Sequence, residues 1–74
     1  MSKRDKREER IRQNLTNVSL EDFEALINHY GYVEVGAKHH KAVVDAFAMT
    51  YKRENPIKSV YVKQLLKFID QMQK

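Results

Sequence analysis

Few residues in this chain have chemistry to offer. Three histidines, His29, His39 and His40, stand among 14 Lys+Arg and 10 Asp+Glu, and there is no cysteine. Without thiols there is no thiolate nucleophile, disulfide framework or zinc–thiolate site. No glycine-rich phosphate loop, His-Glu-x-x-His pair or paired-carboxylate spacing occurs either. His39 and His40 are flanked by Lys38 and Lys41. Adjacent side chains on a strand point to opposite faces, so this pair does not chelate one metal without a bulge. The spacing therefore predicts no metal site and no cofactor, with one imidazole on the open side of a sheet and the other toward the core or its rim. His29, beside Tyr30, reads as a histidine that favours a helix C-terminus and has no further role.

What remains is one imidazole near Lys38, Lys41, Lys52, Arg53, Lys58 and Lys63. Phosphate is the natural partner of that mixture. An imidazole that titrates near neutral pH can take the proton of a ribose 2′-OH. Neighbouring cations would favour its neutral form and stabilise the charge that develops on phosphorus. RNA cleavage by its own 2′-OH needs neither metal nor protein nucleophile. The other charged residues read more plainly, with the acidic ones as solvated helix faces.

The elements that must position these groups follow from periodicity. After a polar break at Asn14–Asn17, Ser19 is placed as an N-cap, and Val18 precedes Phe23 in hydrophobic-staple spacing. Leu20, Phe23, Leu26, Ile27 and Tyr30 then mark one buried helical face. Gly31 ends this helix, where a left-handed residue is expected. Tyr32–Val35 reads as a strand, Gly36–Lys38 as a turn, His39–Val44 as a second strand and Phe47–Tyr51 as a third. Phe47, Met49 and Tyr51 share a face by alternation. Short connections make these strands antiparallel neighbours. A polar loop from Lys52 to Lys58 holds the only proline, Pro56. A last helix starts near Ser59 with Val62, Leu65, Leu66, Ile69 and Met72 as its stripe, widened by Tyr61 and Phe68. The expected architecture is α+β: a three-stranded antiparallel sheet with helices on one face, in the order α-β-β-β-α. A short N-terminal helix precedes it.

A chain of 74 residues supports one domain, and its 42% hydrophobic and 32% charged composition suits a small folded protein. Residues 3–12 carry six basic and three acidic side chains and so hold most of the net +4 charge. They are expected to form a solvated helix, over residues 1–17, that docks on the 18–74 domain through Ile11 and Leu15. A basic arm for a phosphate backbone is the competing reading. No apolar run is long enough to span a membrane, and the N-terminus lacks the apolar stretch of a secretory signal. The expected compartment is the cytoplasm.

Three stretches also carry a resemblance. LEDFEALINHYGYVEV, the basic GAKHHKAVV and the closing NPIKSVYVKQLLKFI are similar, in order and spacing, to HicA-type mRNA interferase toxins. The likeness covers residues 19–71, and the closing stretch is its most specific part. It implies a fold like that of double-stranded-RNA-binding domains, metal-independent cleavage of mRNA and inhibition by a HicB-type antitoxin protein. The family's catalytic histidine follows a Gly-Ser pair at the start of the second strand. Aligned here, that pair becomes Ala37-Lys38 and the histidine falls on His39. A register that takes Gly36 as the motif glycine makes His40 the match. Alanine does not replace a glycine's freedom at positive φ, and lysine offers a mobile cation in place of a compact hydroxyl.

Overall fold

The computed structural model describes residues 6–72. Its elements are α1 (Lys6–Gln13), α2 (Leu20–Tyr30), β1 (Tyr32–Glu34), β2 (His40–Val44), β3 (Phe47–Tyr51) and α3 (Ser59–Met72). The first five residues of the expected N-terminal helix lie outside the described residues.

The start of α2 follows its sequence signal. Ser19 has extended backbone, and its Oγ accepts the Asp22 N–H at 3.1 Å. Phe23, Leu26 and Ile27 are fully buried on one face, with Leu20 and Tyr30 packed at its margin. The helix ends at Gly31, whose N–H donates to the Ile27 carbonyl at 2.7 Å. The expected left-handed residue is absent, because Gly31 has φ −164°. Glycine is required here by proximity: a Cβ would run into the carbonyl of Val43 on the neighbouring strand. The helix thus passes straight into β1 with its backbone against β2.

The sheet runs in the order β1-β2-β3, antiparallel throughout. Both β1 and β2 are one residue shorter than expected, so Val35 and His39 belong to the connecting loop. Asp45 and Ala46 close the β2–β3 hairpin, with Asp45 at φ 55°. A left-handed residue lets so short a turn match the twist of its strands, and Asp tolerates that conformation.

Alternation sorts the faces. Ala42, Val44, Met49 and Tyr51 are buried beneath the helices, whereas Lys41, Ala48 and Thr50 are exposed on the open side. Val62, Leu65, Leu66 and Ile69 of α3 complete the core, and Phe68 stacks on Phe47 with centroids 4.9 Å apart. Each large side chain so buried contributes about 1.5–3 kcal/mol by removal from water. The loop before α3 is tied to the segment before α2 by a bridge between Val18 and Ile57, both in the core.

The N-terminal helix is docked more firmly than a solvated helix requires. Ile11 is 2% exposed and joins the same core, with Leu15 packed against it. Glu8 is also 2% exposed, which corrects the reading of the acidic residues as solvated faces. Its carboxylate accepts the Tyr30 hydroxyl at 2.6 Å and Arg12 Nε at 3.0 Å. Arg12 reaches on to Asp70 of α3 at 2.8 Å. Burial works against the charge of Arg12, but its hydrogen bonds and charge interactions with Asp70 and Glu8 outweigh that, and its pKa ends above the ordinary value. Asp22 of α2 accepts Arg7 at 3.2 Å and lies 3.6 Å from Arg10.

Candidate functional site

The strand register collects most of the chemically interesting residues at one end of the sheet. Glu34, the last residue of β1, lies opposite Lys41, and Tyr51, the last of β3, lies opposite His40, the first of β2. The loop carrying Lys38 and His39 and the segment carrying Lys52 and Arg53 therefore leave the sheet at the same end. Both α2 and α3 begin there too. Asn55 Oδ1 accepts the Leu20 N–H at 3.3 Å, and Tyr51 reaches Glu24 in the second turn of α2.

The two histidines differ sharply. His39 precedes β2, is exposed, and has no hydrogen-bond or ion-pair partner among the described residues. His40 faces the helices, half-buried, with its ring 6.1 Å from that of Tyr51. Its Nδ1 is buried and unpartnered, which leaves Nε2 as the ring nitrogen toward solvent. His29 is exposed and packs edge-on to Tyr30 at 4.8 Å.

The loop before His39 is tight. A Cβ on Gly36 would run into the His39 carbonyl, so glycine is required there by close approach. Neither Gly36 nor Ala37 has positive φ. Alanine therefore fits its place in the loop without backbone strain, and what the chain lacks relative to a Gly-Ser pair is the hydroxyl.

The cations are only partly assembled. Lys38 is exposed and unpaired among the described residues. Lys41 lies 3.9 Å from Glu34 across the open face, and Lys52 lies 3.8 Å from Glu54. Arg53 is held by Glu24 through two contacts, Nε at 3.1 Å and Nη2 at 3.4 Å. Lys58 stands exposed just before α3. Lys63 is exposed on α3 and lines a groove with Leu15, Leu66 and Lys67.

Two residues at this end were not singled out by the sequence. Glu24 accepts the Tyr51 hydroxyl at 2.6 Å as well as Arg53, and Tyr51 is fully buried. Burial first, then the hydrogen bond and charge of Glu24, push the Tyr51 phenol well above its ordinary pKa, while Arg53 pulls it back. Alternation marked Tyr51 only as core, and its 27-residue separation from Glu24 leaves no local signal.

Among the described residues no three His, Asp or Glu side chains form a metal-ligand set. No helix among them is long and apolar enough to cross a membrane. No family model, curated protein or solved structure matches this chain.

Proposed function

We propose that this chain is an RNA-cleaving protein of the HicA type, acting on mRNA without a metal and held in check by an antitoxin protein of the HicB type. The observation that carries the reading is His39: an exposed, unpartnered imidazole beside unpaired Lys38, fixed by a tight loop at the end of the sheet where Lys41, Lys52 and Arg53 also lie. His39 is the general base that takes the 2′-OH proton, and the cations contact the phosphate under attack. The 2′-oxygen then attacks the adjacent phosphorus, forming a 2′,3′-cyclic phosphate as the P–O5′ bond breaks; the 5′-oxygen takes its proton from water, and His39 gives the 2′-OH proton up to solvent.

A second reading keeps the RNA and drops the cleavage. It is favoured by the carboxylates already placed on Lys41, Lys52 and Arg53, which lower the net positive charge at this end. Binding would then use phosphate and 2′-OH contacts alone.

Incubation of the full chain with a long mRNA in EDTA, alongside His39→Ala and His40→Ala, separates these readings. Cleavage by the wild type and by His40→Ala, lost in folded His39→Ala, is the expected result. RNA left intact by a folded wild type that still binds it moves the binding reading to first place. Absence of both binding and cleavage removes RNA as the partner.

A further inference from the structure

Arg53 differs from every other cation at the histidine end in being clamped. Glu24 grips its Nε and Nη2. The same carboxylate is anchored by the Tyr51 hydroxyl at 2.6 Å, and Tyr51 is locked into the core against Phe23 at 5.0 Å and Tyr61 at 6.4 Å. The core therefore fixes the plane of a guanidinium that remains 49% exposed. Its remaining nitrogen, Nη1, has no acceptor among the described residues, and a planar fork with a free N–H edge matches a phosphate oxygen.

We propose that Arg53 is a pre-positioned phosphate-binding group, with Glu24 and Tyr51 as the residues that position it. This rests on the RNA reading above and assigns separate duties within it. Lys38 is a mobile, unneutralised point charge, so it contributes affinity through counterion release. Arg53 is neutralised by Glu24, so it contributes a directed hydrogen bond and almost no net charge. Glu24 thus gives up electrostatic attraction in exchange for orientation, since loss of side-chain freedom is a main cost of holding a ligand.

The division has a signature that a structural ion pair lacks. Each phosphate neutralised on a single strand steepens the dependence of log affinity on log salt by about 0.7. The test is binding of a 2′-O-methyl RNA oligonucleotide, which cannot be cleaved, to the full chain at several salt concentrations by fluorescence anisotropy. Arg53→Gln combined with Glu24→Gln removes the ion pair without changing the net charge, so it is expected to weaken binding about tenfold with the salt slope unchanged. Arg53→Lys should not rescue it, because an ammonium cannot hold Glu24 with two nitrogens and present a third. Lys38→Ala should lower the slope by about 0.7. Glu24→Gln should steepen it by removing the neutralising charge from Arg53.

Circular dichroism on each variant establishes that it is folded, and Tyr51→Phe, which keeps the ring in the core, provides a second way to loosen the clamp. Wild-type affinity in the Arg53→Gln, Glu24→Gln double variant overturns the proposal, as does a slope that falls in it as in Lys38→Ala. Full rescue by Arg53→Lys also overturns it. A wild type that binds no RNA overturns the proposed function and this inference with it, whereas an indifferent double variant beside an RNA-binding wild type overturns the inference alone.

Discussion

The two polar regions of this molecule are put to opposite uses. At the N-terminal helix, Glu8 is buried and accepts from both Tyr30 and Arg12, and Arg12 continues to Asp70. At the other, His39 and Lys38 are exposed and left without partners among the described residues. A buried carboxylate has to be matched, since leaving it unpaired costs several kcal/mol on the order seen for other buried ions. An exposed imidazole carries no such requirement and stays available for a ligand. Partnered polar groups thus lie against the apolar core, and unpartnered ones stand at its rim, where the proposed function needs them. The Tyr51–Glu24–Arg53 clamp lies between these extremes, with one end in the core and the other in solvent.

Substitutions that grade from the first region to the second should grade in their effect on stability. The largest loss is expected from Glu8→Ala, which removes the buried carboxylate that accepts from the Tyr30 hydroxyl and Arg12 Nε. Urea unfolding should show a fall of about 2–4 kcal/mol. A loss below about 1 kcal/mol would mean that the N-terminal helix is a loosely held appendage.

An intermediate effect belongs to Tyr51. Because its folded pKa is raised above the unfolded value of 10.0, its contribution is fully present below pH 10 and is lost as pH rises further. The urea midpoint should therefore decline above pH 10. Tyr51→Phe should flatten that decline while costing about 1 kcal/mol at neutral pH through the lost hydrogen bond. An alkaline limb identical in both proteins would show that another group controls it.

Gly36→Ala should cost about 1 kcal/mol or more, because the His39 backbone carbonyl has to move, with the exposure of the loop keeping the loss below that of Glu8→Ala. Its effect on the proposed RNA cleavage should be larger than its effect on stability, since the displaced atom is the His39 carbonyl. Equal losses in both would remove the loop's positioning role. The smallest stability change is expected for His39→Ala, whose thermal midpoint should match the wild type. A large drop would place His39 among the structural residues and erase the contrast between the two regions.

Much of this architecture was legible one element at a time. Ser19 as N-cap, the Phe23–Leu26–Ile27 face and the in–out alternation of Phe47, Met49 and Tyr51 depend on periods of 3.6 and 2 within a few residues. Gly31 was placed at the right position for the wrong reason. Its termination role is local, but the atom that demands glycine, the Val43 carbonyl, comes from a strand formed later in the chain. At the candidate site the histidines and most of the cations were visible as residue types. Which histidine would be exposed, and which cations would be paired, was not.

The sequence by itself determined the order of helices and strands, their faces and the crowding of basic residues around His39 and His40, because those properties are written in near-neighbour spacing. Only the tertiary structure decided that Glu8 is buried and that Glu24 clamps Arg53. The links that decide this span 22 residues from Glu8 to Tyr30, 27 from Glu24 to Tyr51 and 58 from Arg12 to Asp70. Pairings at such separations leave no periodic trace, since they are set by which surfaces meet when the helices close over the sheet.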